Sequence, residues 1–481
     1  MIFRDNFLLE KDFFGMIEQW KRMEKMENKI KNKTIKKVVS GIDGKAWVAG
    51  VNMGYGHQRT AHALKDLACK GQVINANDYD GIPDRDRKIW EDSRRFYEAI
   101  SKFKRIPMIG QAAFSVYDRL FQRIVDFYPM KDLSRAPFLT RRTYGLIKNG
   151  WGRDFIKRLE TKRMPLVTTF FISAFMAEEF DYPEEIYLVV CDADISRQWA
   201  AKDPVSSRIN YCAPTARVVQ RLKLYGVPKK RIFLTGYPLP EENIFSKTGE
   251  AKHNPDVVKE DLARRLANLD PNNVYLSKYC DLVNSSLCAS ISKTRRPLTI
   301  LFSAGGAGAQ GEIGLAIMRQ LKDRIAAGKV KLVLSAGINA KVKNFYENGA
   351  REARMAETPG LEILFEQTIG GYFDHFNRTL RQTDILWTKP SELSFYSALG
   401  VPIIVAPPIG SQEDFNKSWL LKSGFGIEQD DLRCIGQWLD DWLENGYLAE
   451  AAMEGFIEGE RMGAANIKNL VFGKSKSNDK L

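Results

Sequence analysis

Two glycine-bearing stretches hold the residue types that handle protons and phosphates. In the first, Ala46 to Leu67 (AWVAGVNMGYGHQRTAHALKDL), the apolar run Trp47, Val48, Ala49 and Val51 leads into Gly54-Tyr55-Gly56-His57, and Ala61, Ala63, Leu64 and Leu67 follow at helical spacing. This reads as strand, glycine turn, helix. It puts His57 at a helix N-terminus on the carboxyl edge of a sheet, where open α/β sheets gather ligands and backbone N–H groups converge. An imidazole there can take a proton from a hydroxyl or hydrogen-bond an anion. The plain alternative is a tight turn beside a solvated histidine. In the second stretch the buried-strand run Leu298 to Phe302 enters Ser303-Ala304-Gly305-Gly306-Ala307-Gly308-Ala309-Gln310, ahead of a helix over Ile313 to Ala327. Glycines between strand and helix let backbone amides approach a diphosphate.

Two further segments carry polar groups at helix starts. Thr388-Lys389-Pro390-Ser391-Glu392 offers Ser391 as an N-cap and Glu392 in the first turn. There Glu392 either complements the helix dipole or accepts from two hydroxyls of a ribose. Gly410-Ser411-Gln412-Glu413-Asp414-Phe415-Asn416 is rich in acceptors suited to sugar hydroxyls, or is an ordinary capped helix start. Asp192-Ala193-Asp194 is the DxD motif placed where it could chelate a metal, and it reads as structural or acceptor-binding in preference to a metal site. The six cysteines are scattered without CxxC or histidine companions, which supports neither a zinc site nor a disulfide framework and fits a reducing compartment.

The elements needed to hold these residues alternate along the chain. Strand Trp47 to Val51, helix Ala61 to Cys69 and strand Val73 to Ala76 open a parallel α/β sheet. After a break of some eighty residues come strand Leu166 to Phe171, a helix through Ala174 to Glu179, strands Ile186 to Cys191 and Ile209 to Cys212, helix Arg217 to Tyr225 and strand Ile232 to Leu234. Residues 246–296 read as an interdomain connection with a helical piece over Val257 to Leu269. The grammar then restarts: strand Lys331 to Leu334, helix Ala340 to Asn348, strand Ile363 to Phe365, helix Tyr372 to Leu380, strand Asp384 to Trp387, helix Ser391 to Leu399 and strand Pro402 to Val405. The expected fold is α/β, with two Rossmann-like doubly wound domains facing across a cleft. The domains are an accessory arm over 1–40, an N-terminal domain over 41–245 and a C-terminal domain with closing helices over 297–481.

Size and charge narrow the class. A chain of 481 residues at 44% hydrophobic and 27% charged composition is ordinary globular material for two or three domains. No run approaches the roughly 18 apolar residues of a membrane span, and the charged opening MIFRDNFLLEKDFF does not read as a signal peptide. The net charge of +13 calls for an acidic partner. Between Arg85 and Arg158, eighteen Lys/Arg stand against eight Asp/Glu, a net of +10, so most of the excess is one patch. Inside it, Gln111 to Tyr128 spaces Phe114, Tyr117, Phe121, Ile124 and Tyr128 three or four apart beside Arg119 and Arg123. That is either a core helix or a basic amphipathic helix for an anionic membrane, and the surrounding cations favour the membrane. No RNA-binding motif accompanies it, so no nucleic-acid partner is expected.

In order and spacing, the GxGH turn, Cys191-Asp192, Gly236-Tyr237-Pro238, the GGxG turn at Gly305, Thr388-Lys389-Pro390, Gly400-Val401-Pro402 and Gln412-Glu413-x-x-Asn416 resemble the GT-B inverting glycosyltransferases. The motifs resemble those of the monogalactosyldiacylglycerol synthases and processive diacylglycerol glucosyltransferases, and more distantly those of the peptidoglycan lipid II N-acetylglucosaminyltransferase. The resemblance covers about Lys45 to Gly426. It implies a hexosyltransferase moving sugar from a nucleotide-sugar, usually UDP-linked, to a lipid or lipid-linked hydroxyl, with no metal and no cofactor. It further implies His57 as general base or orienting group, and Gly54, Tyr55, Gly56 and Asp192 around the acceptor. Around the donor it implies Gly305, Gly306, Gly308, Phe365, Glu366, Gln367, Lys389, Ser391, Glu392, Gln412, Glu413 and Asn416. The protein would work in the cytoplasm, peripherally attached to the inner face of the membrane through the basic insert over about 85–158. Relatives carry a glycine-rich turn after Lys-Pro, where this chain has Ser391-Glu392-Leu393. They also carry a histidine after the Asp192-type strand, where it has Ser196-Arg197-Gln198-Trp199. Two other readings share the residues: a sugar-nucleotide 2-epimerase or hydrolase of the same fold, and a non-catalytic nucleotide- or lipid-binding module.

Overall fold

The computed structural model describes residues 45–103, 124–245, 257–287, 291, 296–305, 308 and 310–473. These belong to one compact body spanning 45–247 and 255–481. The arm over 1–40, Gly306 and most of the amphipathic stretch Gln111 to Tyr128 lie outside the described residues.

Among the described residues, twelve short strands build two all-parallel sheets. The first contains β1 (Trp47–Gly50), β2 (Ile74–Asn75), β3 (Leu166–Thr168), β4 (Ile186–Val189), β5 (Asn210–Ala213) and β6 (Ile232–Leu234), in the order β2-β1-β3-β4-β5-β6. The second contains β7 (Leu298–Ser303), β8 (Val330–Gly337), β9 (Leu361–Phe365), β10 (Ile385–Thr388), β11 (Ile403–Val405) and β12 (Gly426–Glu428), in the order β12-β11-β10-β7-β8-β9. β3, β4, β5, β7, β10 and β11 are buried at every position, as a parallel sheet covered on both faces requires. The two-domain α/β architecture is therefore the one expected, with β12 an additional edge strand.

Strand order fixes where a site can form. In the first sheet the chain reverses its direction of travel between β1 and β3, which pair in register through Val48 and Val167. In the second the reversal falls between β7 and β10, paired through Leu301 and Leu386. Crevices open outside the carboxyl ends of strands at such switch points. His57 follows β1, and the Gly305 turn follows β7, so both glycine turns stand at a switch point.

Six helices matter for the site: α1 (Tyr55–His62), α2 (Ala216–Leu224), α3 (Val257–Leu269), α4 (Ile369–Gln382), α5 (Ser411–Lys422) and α6 (Gly463–Phe472). α1 starts at Tyr55, earlier than the apolar spacing predicts, because the glycine turn is only long enough to reverse the chain. The segment read as a connection contributes α3, whose Val258, Leu262, Leu266 and Leu269 lie in the core of the second lobe. The last described helix, α6, returns to the first sheet: Ala464, Ile467 and Val471 cluster with Val48, Val167, Val189 and Cys212. Asn466 Nδ2 also donates to the Thr235 carbonyl at 2.8 Å. Among the described residues no helix is long and apolar enough to cross a membrane.

Candidate active site

The turn after β1 is shaped by glycines for two separate reasons. Gly54 has φ of 118°, a region other L-residues avoid, and it is the N-cap of α1 with no side-chain cap bond. Gly56 has ordinary backbone angles, but a Cβ there would stand 3.2 Å from Glu392 Oε2. The first-turn amides of α1 are left uncapped, with the positive end of the helix dipole behind them.

Thr169, just past β3, grips His57 twice. Its hydroxyl donates to the His57 carbonyl at 2.9 Å, and its own carbonyl accepts from His57 Nδ1 at 2.8 Å. A carbonyl only accepts, so Nδ1 carries the proton and Nε2 is left as the acceptor. The ring packs edge-on against Phe170, with centroids 4.8 Å apart, and Cys191 Sγ lies 3.6 Å from Nδ1. Burial pushes the imidazole down to about 4, against the opposing pull of the Thr169 carbonyl and Glu392. His57 is neutral at physiological pH, and its Nε2 bonds no described residue.

The second lobe meets this turn through Glu392, at the start of a 3₁₀ helix over Glu392–Leu399. Its Oε1 accepts from Arg59 Nε at 3.2 Å, with both side chains almost fully buried. Arg59 also donates through Nη2 to the Tyr372 hydroxyl at 3.2 Å, and its guanidinium lies 4.3 Å from the Phe376 ring centroid and 4.7 Å from that of Phe373. Tyr372, Tyr396 and Glu392 hold that guanidinium above its ordinary pKa although burial opposes them. Tyr55 reaches the same lobe: its hydroxyl accepts from the Ile338 amide at 3.0 Å, just past β8. At the edge of this contact His62 Nε2 and Lys65 Nζ share Asp374 Oδ1, at 3.0 and 2.8 Å.

Asp192 and Asn416 form a second bridge. Asn416 Nδ2 donates to Asp192 Oδ1 at 3.0 Å and to the Pro390 carbonyl at 3.3 Å, while Oδ1 accepts from the Ala193 amide at 2.7 Å. Burial raises the Asp192 carboxyl to about 6; Asn416 pulls it down, Glu392 and Glu413 push it up, and Lys389 pulls it down. Asp194 turns elsewhere, its carboxylate taken by Arg221 through two bonds of 2.8 and 2.7 Å. The DxD carboxylates thus diverge, and among the described residues no three His, Cys, Asp or Glu side chains gather as a metal set.

Around the second switch point, Lys389 pairs with Glu413, whose Oε2 accepts from the Ile409 amide at 2.7 Å. Gly305 (φ 73°) lies against the Lys389 stem, where a Cβ would be 2.9 Å from Cε. Gly308 (φ 63°) leaves no room beside Val342. The helix Gly311–Gln320 that follows has no side-chain cap. At this turn the Gly308, Gly311 and Ile313 amides already donate to the Gly305, Gly308 and Gln310 carbonyls, which leaves the Lys389 cation and the field of the helix N-terminus as the features suited to a diphosphate.

The remaining candidates stand apart. Phe365 ends β9, the edge strand, and Glu366 and Gln367 follow it; Glu366 is engaged by His375 Nδ1 at 2.8 Å, Phe365 lies under Lys343, and Gln367 is exposed. Ser391 occupies the cap position of the 3₁₀ helix without a side-chain cap bond, and Gln412 stands in the first turn of α5, half-buried. Arg59, Thr169, Tyr372 and Asp374 were not singled out from the sequence. Thr169 acts through its carbonyl, which leaves no signal in residue type, and Arg59 reads as a polar helix face.

No family model matches the sequence, and no curated protein matches it. Among solved structures the chain is similar to MurG of Acinetobacter baumannii, at 12% identity and a TM-score of 0.43 over 89% of this chain and 99% of that one. It is similar to a UDP-GlcNAc 2-epimerase of Neisseria meningitidis bound to UDP-GlcNAc, at 11% identity and a TM-score of 0.42 over 76% and 88%. It is also similar to a glycosyltransferase of Rickettsia africae, at 13% identity and a TM-score of 0.39 over 89% and 97%.

Proposed function

We propose that the protein is a glycosyltransferase that moves a sugar from a nucleotide-sugar, UDP-linked by resemblance, to a hydroxyl of a lipid or lipid-linked acceptor, with inversion at the anomeric carbon. The observation that carries the reading is the His57 tautomer: the Thr169 carbonyl fixes the proton on Nδ1 at 2.8 Å, leaving Nε2 as the basic nitrogen at a switch point. In this reading the acceptor oxygen attacks the anomeric carbon and its proton passes to Nε2. The bond to the diphosphate breaks, and its electron pair leaves with the nucleotide. The imidazolium so formed is favoured by the Thr169 carbonyl and by Glu392. Lys389, the Gly305 turn and the positive end of the helix dipole behind it would hold the departing diphosphate. No cofactor is invoked, the nucleotide-sugar being a substrate.

A lipid acceptor is supported by the surface over 128–142. Tyr128, Met130 and Phe138 are 68%, 62% and 66% exposed, among the exposed cations Lys131, Arg135, Arg141 and Arg142. Apolar side chains among cations suit an anionic bilayer face, which would place the protein peripherally on a membrane. The test is turnover of a UDP-sugar panel by the purified chain, with and without detergent-dispersed lipid acceptor. Acceptor-dependent release of UDP supports transfer. Turnover without any acceptor selects the epimerase or hydrolase reading, and failure to bind any nucleotide selects the non-catalytic one.

A further inference from the structure

Helix α2 carries two arginines one turn apart in very different states. Arg221 is spent: it forks onto Asp194 and donates through Nη1 to the Val125 carbonyl at 2.9 Å. Arg217 has no carboxylate partner among the described residues. Its guanidinium lies 3.8 Å from the centroid of the Phe127 ring, and its Nη1 is buried without a hydrogen-bond acceptor. A guanidinium placed on an aromatic face with an unspent N–H is costly until an anion arrives.

Arg217 lines an open cavity of about 400 Å³ together with Phe127, Tyr128, Thr215, Gln220 and Trp419. Among the described residues no acidic side chain lines it. Thr215 caps α2 by accepting from the Val218 amide, so the positive end of that helix faces the same wall. Trp419 comes from α5 of the second lobe, one turn beyond Asn416, so the cavity spans both lobes. It adjoins the Asp192 bridge, since the Thr215 hydroxyl donates to the Ala193 carbonyl at 2.9 Å.

We propose that this cavity is a binding site for a phosphate ester. The forked guanidinium, the Gln220 amide and the amino end of α2 together match a group with several acceptor oxygens, and the aromatic walls suit the organic part of the ester. This does not rest on the sugar-transfer chemistry, because none of these side chains is assigned a part in it; Tyr128 alone is shared, with the exposed surface that supports a lipid acceptor. The ester has two sources, a soluble phosphate monoester or the headgroup of an anionic phospholipid reached over the exposed Tyr128.

Calorimetric titration of the full chain with inorganic phosphate and glycerol 3-phosphate, beside vesicle binding with and without phosphatidylglycerol, separates the two. Arg217→Ala is expected to weaken binding roughly tenfold or more. Gln220→Glu, at an exposed position that folding tolerates, sets a carboxylate on the same wall and is expected to weaken it too. Arg433→Ala, at a distant exposed cation, should leave it unchanged. Saturable binding of the soluble ester with this pattern supports the site with a soluble ligand. Binding only to phosphatidylglycerol vesicles with the same pattern supports a headgroup. Absence of binding in both arms overturns the proposal, as does binding that both Arg217→Ala and Gln220→Glu leave intact. Vesicle binding lost only on replacing Lys131, Arg135, Arg141 and Arg142 also overturns it, and belongs to the surface described above.

Discussion

Arg59 Nε donates to Glu392 Oε1 across 3.2 Å, joining residues 333 positions apart and tying the helix of the first glycine turn to the second lobe. Both groups are buried, so removing one strands the other. Arg59→Met is expected to destabilise the chain by about 3–5 kcal/mol. Glu392→Gln should cost less, because Arg59 keeps the Tyr372 hydroxyl and the rings of Phe373 and Phe376. Urea denaturation of both variants and the double variant checks this; equal single losses would contradict the asymmetry, and additive losses in the double variant would mean the pair is not coupled.

Two titrations at the site oppose each other between pH 4 and 6. Asp192 is raised from 3.8 to about 6 in the folded chain, so its stabilising contribution is complete below pH 3.8 and is lost as pH rises through 6. His57 is lowered from 6.5 to about 4, so its contribution is present above pH 6.5 and is lost as pH falls through 4. Each is worth about 3 kcal/mol at most, since both residues keep an edge open to solvent. Asp192→Asn should therefore make stability climb from pH 4 to 6.5, and His57→Gln should make it fall from pH 4 to 6. Stability measured across that range would show parallel curves for both variants if the two groups were not perturbed in these directions.

Asn416 satisfies the Ala193 amide at 2.7 Å and the Asp192 carboxylate at 3.0 Å from a fully buried position. Asn416→Ala leaves that amide unpaired, at a cost of about 1–3 kcal/mol, and removes the bond that holds the Asp192 pKa down. The Asp192 carboxyl should then titrate above 6, observable as a carbon-13 shift of its side chain. A titration unmoved in Asn416→Ala would place the bridge elsewhere in solution.

Gly337 sits at φ 65° with the Tyr55 hydroxyl where its Cβ would be, 2.3 Å away. Gly337→Ala should cost about 1–3 kcal/mol from the backbone, and it should also expel Tyr55. Tyr55→Ala in the Gly337→Ala background ought to recover the steric part of the loss. If it recovers nothing, the two residues do not meet.

Much of this was legible where local pattern decides structure. The buried runs at Trp47, Leu298 and Ile403 each became a strand because parallel sheets need continuous apolar segments, and glycine after β1 and β7 marked the switch points. What pattern could not reveal were the partners. Glu392 read as a first-turn acid or a ribose ligand, yet it is held by Arg59, because nothing in periodicity records a contact 333 residues away. α3 looked like a connector since it lies in a polar, charged stretch, but Asp261 and Arg265 are buried and paired: Arg381 Nε donates to Asp261 Oδ2 at 3.0 Å, and Arg265 donates to the Thr383, Leu399 and Leu380 carbonyls. The return of α6 to the first sheet was hidden for the same reason.

The most direct test of the account is steady-state transfer by His57→Ala and His57→Gln beside UDP affinity measured by titration. Loss of the base should lower turnover by a factor of 10² to 10⁴ while UDP binding changes by less than about threefold, within the roughly 1.4 kcal/mol of a tenfold step. Turnover that survives in both variants would remove the imidazole from the reaction and with it the proposed proton transfer to Nε2.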